Sequence, residues 1–354
     1  MKRAIVTLLV LMFGAPVAAQ WLKHPTPGIP RTADGKPNLM APAPRTADGK
    51  PDISGMWQID GLGYAFNILG DKGPEMLPWA QALYKQHSDN YWKDDTDVKC
   101  LPPGPRAGLF SQNLLKIVQT PGLALILYES APTRQIFIDG RELPRDPNPA
   151  FMGYSVGHWE GDTLVVESAG FNDRTWLDFT GHPHTEDLKV TERFRRKDFG
   201  HMQLEMTFND PKAYTKSWAI AVGVNFVADT ELLEYVCNEN ERDRDRLVGN
   251  IQDEKKGEVR VSPDTLAKYV GTYRMGPLGD FRVSIDQGEL MIELPGGGGQ
   301  RAPLFAQSDK DFVFPTLGGH VEFVTGPQGT ITHMLLKIVE GDQRAVRVSD
   351  TAGR

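Results

Sequence analysis

The feature that most constrains the fold is a series of nine short candidate strands between residues 114 and 237, linked by turns and not alternating with helices. The segments are rich in β-branched and aromatic residues, and glycine lies at or near several of the connecting tips. They cover residues 114–119, 123–128, 134–138, 154–158, 163–167, 188–195, 202–208, 217–226 and 232–237. Consecutive strands with short connections favour a closed antiparallel barrel over a Rossmann-type sheet. We therefore predict a mostly β fold.

The composition limits the size and the partners of the molecule. With 354 residues, of which 40% are hydrophobic and 24% are charged, the chain is long enough for two hydrophobic cores. Its formal net charge is −7 and no basic arm is visible, so the sequence gives no electrostatic basis for binding nucleic acid or an anionic membrane. We expect a small-molecule ligand or substrate, or another protein, as the partner, and oligomerisation stays open.

The first 19 residues have the organisation of a secretory signal peptide. Lys2 and Arg3 precede an apolar run over residues 4–13, and small residues lead to a cleavage position after Ala19. The apolar run is too short to cross the ~30 Å hydrocarbon core of a bilayer, so stable membrane insertion is not expected. The sequence therefore predicts export to the periplasm or the extracellular space.

Export determines how the two cysteines are interpreted. Cys100 and Cys237 are the only cysteines of the chain, and an oxidising compartment permits a disulfide between them. The alternative is two buried free thiols. Two thiols alone do not support a cysteine-based zinc site. We predict a Cys100–Cys237 disulfide.

The chain before the strands contains a repeated segment and the start of the first domain. Residues 20–51 form a Pro-rich leader in which PRTADGKPN, at 30–38, returns as PRTADGKPD at 44–52. The repeat has no apolar period and cannot bury a core of its own, so it is a linker or a strap on the barrel surface. Residues 52–240 form the first barrel, with a helix predicted over 78–91.

A charged segment separates this barrel from a second, smaller one. Residues 241–261 carry almost nothing apolar and are predicted to be a linker. Residues 262–354 begin with a helix-start pattern at Ser262 and continue into several hairpins. Strands are expected near Phe281, Leu290, Phe312, Val321 and Met334. The predicted architecture is two antiparallel barrels joined by a charged linker.

Three sets of motifs resemble known groups of proteins. Gly55-Met-Trp57 resembles the Gly-x-Trp pattern with which lipocalin-like barrels begin. The resemblance implies that Trp57 closes one end of the barrel against an arginine from a late strand, for which Arg193 and Arg195 are the candidates. The strings KPDISGMW, CLPPGPR, GYSVGHWEGDTLVVE, GHPHTEDLKVTERFRR and LEYVCNEN resemble a group of exported bacterial proteins without an established activity.

The third set lies in the second barrel. LAKYVGTY and GELMIEL resemble the lipocalin-like domain that is appended to beta-lactamase-type serine hydrolases. The hydrolase domain itself would need a Ser-x-x-Lys motif, and no serine of this sequence has a lysine three residues on. The resemblance therefore covers about a quarter of the chain and implies a lipocalin-like fold for residues 262–354 without that catalytic activity.

Residues 172–196 contain the strongest candidates for chemistry. On an extended strand His182, His184, Glu186 and Glu192 share one parity with Leu188, Val190 and Phe194, and would point to the same side. A face that is half apolar and half ionisable is typical of a cavity wall. Histidine titrates near neutrality, and Asp178, Glu186 or Glu192 could fix its tautomer. We predict acid–base catalysis of a lyase, isomerase or hydrolase type by these residues.

Two alternatives to this catalytic hypothesis stay open for the histidines. His182 and His184 with Glu186 could bind a divalent metal, although Glu186 follows sooner than in cupin-type sites and Pro183 lacks a ladder hydrogen bond. No other cofactor is expected. Pro183 could also end the strand before the histidines, so that the strand parity covers only Leu188 to Phe194 and His182 and His184 lie on a loop at the rim of the barrel, where an active site is still plausible. The segment could also be a hydrogen-bonded structural loop. Glu192 could act as a general acid if it is desolvated, or pair with an inward arginine such as Arg134.

Aromatic residues around the same segments predict a ligand pocket. A barrel interior lined by aromatic rings with a few polar groups suits a small, partly apolar or aromatic molecule. The candidate ligand-binding residues are Tyr154, His158, Trp159, Trp176, Tyr214 and Trp218. A carrier of lipocalin type without catalysis is the competing class. Ser155 stands in a Gly-x-Ser-x-Gly string, but a hairpin follows it where a serine hydrolase needs a helix.

Overall fold

The computed structural model describes residues 24–60, 67–70, 73–90, 92–109, 114–237, 258–276, 279–295, 301–315, 319–327, 329–338 and 341–348. The predicted signal peptide, 1–19, lies outside these residues. So do residues 241–257 of the predicted linker, which leaves only its last four residues described.

The first part of the chain folds into a closed barrel of nine strands, in which each strand pairs with its neighbours in sequence and β1 also pairs with β9. The strands are β1 (Gly55–Ile59), β2 (Leu115–Thr120), β3 (Leu123–Tyr128), β4 (Arg134–Phe137), β5 (Tyr154–Glu160), β6 (Thr163–Ala169), β7 (Lys189–Arg196), β8 (His201–Asn209) and β9 (Trp218–Phe226). The predicted barrel is confirmed. All neighbours are antiparallel except β4 and β5, which are parallel because the connection over 138–153 returns the chain to the same end.

One predicted strand is wrong, and the opening strand takes its place. Residues 232–237 are irregular and partly exposed, whereas β1 closes the barrel by pairing Trp57 with Phe226. Cys237 in this irregular segment is bonded to Cys100, with 5.7 Å between the two Cα atoms. The predicted disulfide is confirmed, and it fixes the chain that leaves β9 to the segment between the helix and β2.

Trp57 closes one end of the barrel, but with a different arginine from those expected. The indole is fully buried and meets the Phe226 ring edge-on at 5.4 Å between centroids. Arg196 lies over it, with the guanidinium carbon 4.8 Å from the ring centroid, and its Nη1 donates to the Asp52 carbonyl at 2.5 Å. Arg193 and Arg195 have the opposite parity on β7 and do not enter the interior.

The leader is a strap on the barrel, and its two repeats fold in the same way. In each repeat a β-bridge closes the turn, between Arg31 and Pro37 in the first and between Arg45 and Pro51 in the second. Each arginine also makes an ion pair with a barrel aspartate. Between the repeats, the chain accepts backbone hydrogen bonds from the turn after β7. Both repeats therefore hold the leader against the first barrel in the same way. This supports the interpretation of the leader as a strap on the barrel surface.

Helices are few and short in the described part of the chain. They are α1 (Pro78–Asp89), α2 (Pro263–Ala267) and two 3-10 helices, Asp97–Lys99 and Gly104–Leu109. The helix α1 begins at the predicted residue, with proline in its first turn, where a missing N–H costs nothing. None of the described helices is both long and apolar enough to cross a membrane.

The second barrel is closed by eight strands. Its strands are β10 (Gly271–Met275), β11 (Gly279–Asp286), β12 (Glu289–Glu293), β13 (Arg301–Ala306), β14 (Asp311–Phe314), β15 (Gly319–Thr325), β16 (Ile331–Ile338) and β17 (Gly341–Val348). Ser262 caps α2 by accepting a hydrogen bond from Thr265 N, as the helix-start pattern predicts. The core is apolar, and Tyr273, Phe312, Phe314 and Phe323 are at most 1% exposed.

Candidate functional site

The two candidate histidines lie on an irregular loop between β6 and β7, which we call the His loop (residues 172–188). Strand β7 begins only at Lys189, so the predicted common strand face for His182, His184 and Glu186 is wrong. Gly181 adopts a positive φ of 92°, and Pro183 makes an isolated bridge with Trp176 instead of a ladder. The prediction holds for β7 itself, where Val190, Glu192 and Phe194 are buried side chains of one parity.

Asp178 and His182 form a buried dyad in the His loop. The Asp178 Oδ2 atom is 2.7 Å from His182 Nδ1, so Nδ1 carries the proton that the carboxylate accepts. Burial would raise the pKa of Asp178, but hydrogen bonds from His182, the Ile68 N–H and Thr180 hold it below its usual range. In the described residues no hydrogen bond reaches His182 Nε2. Among the residues that the structure describes, Nε2 of a neutral His182 therefore keeps its lone pair without a hydrogen-bond donor.

His184 differs from His182 because both of its ring nitrogens are bonded within the protein. Nδ1 lies 3.1 Å from the Thr185 carbonyl, which can only accept, so Nδ1 carries the proton. Nε2 is then the acceptor of the Thr175 hydroxyl at 2.8 Å. Burial lowers the pKa of His184, which agrees with a neutral ring. This imidazole fits the structural alternative that the sequence left open.

The structure does not assemble the predicted metal site. Glu186 is exposed on the loop, whereas His182 and His184 are each 2% exposed. The nitrogens of His184 are occupied by threonine groups, so this ring has no lone pair for a metal. Among the described residues, no three histidine, cysteine, aspartate or glutamate side chains are grouped to hold a metal ion. The metal hypothesis therefore has no geometric support in this loop.

The His loop is held down by ring stacking against α1. Tyr84 stacks on His182 with 4.3 Å between ring centroids, and His87 stacks on Trp176 at 4.4 Å. The Nδ1 atom of His87 also lies 2.7 Å from the Gly181 carbonyl. The dyad is thus part of a packed layer of rings, in which aromatic faces replace water around the imidazole.

A buried arginine joins the same loop to the 3-10 helix Gly104–Leu109. Arg106 is fully buried, donates to Asp95 Oδ1 at 2.5 Å and donates to the Asp178 carbonyl at 3.0 Å. At the start of this helix, Gly104 has a φ of 71° and packs so closely on Thr175 that a Cβ would lie 2.4 Å from its hydroxyl oxygen. The helix is therefore fixed to the His loop by charge and by close packing.

A second polar cluster lies inside the barrel. Arg134 on β4 donates through Nη1 to Glu192 Oε1 at 2.9 Å and through Nη2 to Glu192 Oε2. The same guanidinium donates to Ser155 at 3.0 Å and to Ser168 at 2.8 Å. Burial would lower the pKa of Arg134, but the charge and hydrogen bonds of Glu192 outweigh it and raise the pKa. The sequence alternative in which Glu192 pairs with Arg134 is therefore the one observed.

Two small cavities border this cluster, and both are lined by Tyr128 and Glu192. Each has a volume of about 10 Å³, which is room for about one water molecule. The first also touches Arg134 and the 3-10 helix at Gly104, Pro105 and Ala107. The residues that complete the first lining are Met152, Phe171, Val190 and Met206. The interior of the first barrel is thus well filled, and these two cavities lie beside the Arg134–Glu192 pair.

The six predicted ligand-binding residues do not lie at these two cavities. None of them lines either cavity. Tyr154 accepts a hydrogen bond from Arg141 on the outside of the barrel, and His158 is exposed beside Glu160. The other four contribute packing: Trp159 lies against the barrel core, Trp176 stacks on His87, Tyr214 donates to the Pro183 carbonyl, and Trp218 stacks on Phe208.

Sequence reasoning missed Tyr128 and named Arg134 only as a partner of Glu192. A parity argument points to Arg134, because it stands two positions before the buried Ile136 on a short strand. The sequence places Ser155 in a Gly-x-Ser-x-Gly string, whereas in the structure its hydroxyl accepts a hydrogen bond from Arg134 and lies 2.9 Å from the Ser168 hydroxyl. The same parity argument points to Tyr128, which stands two positions after the buried Ile126 on β3.

Comparison with known proteins gives a match for the second barrel. Residues 255–349 match the family described as "Domain of unknown function (DUF3471)". This match includes all eight strands of the second barrel and none of the nine strands of the first. No curated protein matches the chain. The candidate site therefore lies in the barrel that has no family match.

Proposed function

We propose that the nine-strand barrel binds a small, partly apolar molecule in its interior, next to the Arg134–Glu192 pair. The observation that carries the proposal is a desolvated ion pair of which Glu192 borders both cavities and Arg134 borders the first. Burying two charges costs several kcal/mol per ion before pairing, and apolar residues of similar volume often serve stability equally well. A polar cluster inside an otherwise apolar barrel therefore favours a binding role over a purely structural one.

Flexible side chains in the lining supply the space that a ligand needs. Met152 and Met206 line the first cavity and Met202 lines the second. Methionine is unbranched and fills irregular gaps, so its side chain can move aside at a small cost. The two cavities adjoin through Tyr128 and Glu192, and a ligand would join them into one pocket.

The test is a titration with the neutral fluorescent probe N-phenyl-1-naphthylamine, together with native mass spectrometry of the freshly purified protein. The double variant Arg134→Met/Glu192→Leu replaces both charges at the cavity wall with apolar groups of similar volume and should change probe binding at least tenfold, or about 1.4 kcal/mol. Arg141→Met is the matched control, because Arg141 is paired with Asp139 on the surface. A wild type that carries no ligand and binds no probe would exclude the proposal.

The fold details favour a lipocalin-like classification within this proposal. Trp57 on the first strand packs under Arg196 from β7, which is the kind of contact that the Gly-x-Trp resemblance implies. The second barrel, which the DUF3471 family matches, is proposed to be the lipocalin-like domain found with beta-lactamase-type hydrolases. Export is proposed on the signal-peptide pattern, and the disulfide between Cys100 and Cys237 supports it.

Acid–base catalysis is a second candidate function, because of the Asp178–His182 dyad. A carboxylate that orients a histidine through Nδ1 leaves Nε2 able to take a proton, which is the arrangement of a general base. Hydrolysis of 4-nitrophenyl acetate measures this: a catalytic His182 predicts at least a hundredfold lower rate in His182→Gln. The exposed His158, changed to Gln, is the control. Equal rates in the wild type and His182→Gln would exclude the dyad as a hydrolase.

A further inference from the structure

Tyr128 is the polar side chain in the barrel best placed to meet a ligand. It lines both cavities, and Glu192 is the other residue that does so. The serines of the cluster line neither cavity. A molecule that joins the two cavities therefore passes the phenol of Tyr128.

The charges of the cluster are already paired with each other. Both oxygens of Glu192 accept from Arg134, and four of the five N–H groups of the guanidinium are used by Glu192, Ser155 and Ser168. An anionic ligand would meet the Glu192 carboxylate at the cavity wall, and a cationic one would meet Arg134. Either ion would lose its hydration without gaining a counter-charge. The pocket therefore suits a neutral molecule.

The hydroxyl of Tyr128 still has a proton to donate. The Arg134 guanidinium can only donate, so towards it the phenol oxygen of Tyr128 can act only as an acceptor. In the described residues no hydrogen bond runs from this hydroxyl to Glu192 or to another acceptor. Burial raises the pKa of Tyr128, so the phenol keeps its proton. Within the part of the chain that the structure describes, the O–H of Tyr128 is therefore left to be directed at a group in the cavities.

We infer that the ligand of the nine-strand barrel is neutral and presents a hydrogen-bond acceptor, such as a carbonyl oxygen, to the hydroxyl of Tyr128. The inference rests on the proposed function and adds the chemical class of the ligand. The apolar remainder of the ligand lies against Met152, Met206 and Phe171, which line the same space.

Three probes of one size and different polarity test this: acetophenone, ethylbenzene and benzoate, titrated into the full chain by ligand-observed NMR. Acetophenone should bind about three- to tenfold more tightly than ethylbenzene, which is the value of one neutral hydrogen bond. Benzoate should bind most weakly. Tyr128→Phe should remove the advantage of acetophenone and leave ethylbenzene unchanged. Tyr154→Phe, on the outside of the barrel, is the control and should change neither.

The failures of the two proposals are distinguishable. If acetophenone and ethylbenzene bind equally, or if Tyr128→Phe keeps the difference, the role of Tyr128 is wrong while the binding function stands. If benzoate binds most tightly, the neutral class is wrong. If N-phenyl-1-naphthylamine binds and none of the three probes does, this inference is wrong while the binding function stands. If N-phenyl-1-naphthylamine does not bind either, and the purified wild type carries no ligand, the proposed binding function is itself overturned, and this inference with it.

Discussion

The two barrels of this chain are built alike and filled differently. Both are closed, by nine and by eight strands, and in both the chain visits the strands in order. In the described part of the second barrel, the buried side chains are apolar or aromatic, with Phe312 and Phe323 at the centre of a cluster of rings. The first barrel buries Arg134 and Glu192 in its interior and a layer of histidines and aspartates at one end.

The difference shows that a closed barrel of this size does not need a polar interior. The second barrel reaches a packed core with hydrophobic side chains alone, so the charges of the first are not a requirement of strand closure. Since a buried ion pair contributes little net stability, its presence in only one barrel, among the residues that the structure describes, supports the proposal that the first barrel binds a ligand. The predictions that follow perturb one barrel at a time, and all seven tryptophans lie before residue 219, so tryptophan fluorescence reports on the first barrel alone.

Removal of the disulfide should have the largest effect. The bond between Cys100 and Cys237 spans 137 positions, and the chain-entropy model assigns about 5 kcal/mol to a loop of that length, less any strain. The variant Cys100→Ala/Cys237→Ala should therefore lose about 3–5 kcal/mol in urea unfolding followed by tryptophan fluorescence. The second barrel has no cysteine, and its amide hydrogen exchange should be unchanged. Equal losses in both barrels would show that they unfold as one unit.

Removing one partner of the interior ion pair should destabilise the first barrel nearly as much as removing the disulfide. Glu192→Leu leaves Arg134 charged and unpaired in the interior, which typically costs about 3–5 kcal/mol. The double variant Arg134→Met/Glu192→Leu should recover most of that loss, because it leaves no charge behind. Urea unfolding by tryptophan fluorescence measures both variants.

The control for this prediction is an ion pair on the outside of the same barrel. Glu160 pairs with Arg193, and their side chains are 49% and 39% exposed. Glu160→Leu should therefore lower the stability much less than Glu192→Leu does. If Glu192→Leu costs no more than Glu160→Leu, water reaches the interior pair, and the contrast between the two barrels is smaller than the burial indicates.

Acidification should weaken the first barrel through His184. Burial lowers the pKa of His184 in the folded state below the usual value of about 6.5. The unfolded chain then binds the proton more readily than the folded chain does. The contribution of His184 to the free energy of unfolding is therefore complete above about pH 6.5 and is lost as the pH falls towards the folded pKa. The loss is at most about 1.4 kcal/mol per pH unit. Tryptophan-monitored unfolding between pH 7 and 5.5 should show this slope, and His184→Gln should reduce it. His158→Gln, at an exposed position, should leave it unchanged.

The strands could be predicted from the sequence because their signals are local. Alternating burial on β7 was predicted correctly, with Glu192 and Phe194 on the inside. The closing strand could not be chosen in this way. Both 55–59 and 232–237 are short segments with apolar residues, and only the long-range pairing of Trp57 with Phe226 decides between them.

The candidate site could be predicted only in part, for a related reason. A strand pattern was extended through Pro183 to the histidines, but the contacts that decide their place come from α1, nearly a hundred positions earlier in the chain. Tyr84 and His87 stack on the His loop, and neither residue follows a pattern that links it to His182. The prediction of Glu192 in the interior succeeded because its parity is local, whereas its bond to Arg134 was one of two open alternatives.

The smallest effect is expected at the surface of the second barrel, where the same pairing of charges occurs in water. Glu322 lies between Lys310 and Lys337, whose hydrogen bonds lower its pKa to about 2 although its side chain is 20% exposed. The stabilisation of the folded second barrel by these two ion pairs is present above the usual glutamate pKa of about 4.5, and it is lost as the pH falls from there towards 2. Because solvent screens these ion pairs, Glu322→Gln should cost less than about 1 kcal/mol at pH 7 and much less at pH 2, as measured by hydrogen exchange of the β15 amides. A loss at pH 7 as large as that of Glu192→Leu would show that burial does not explain the difference between the two barrels.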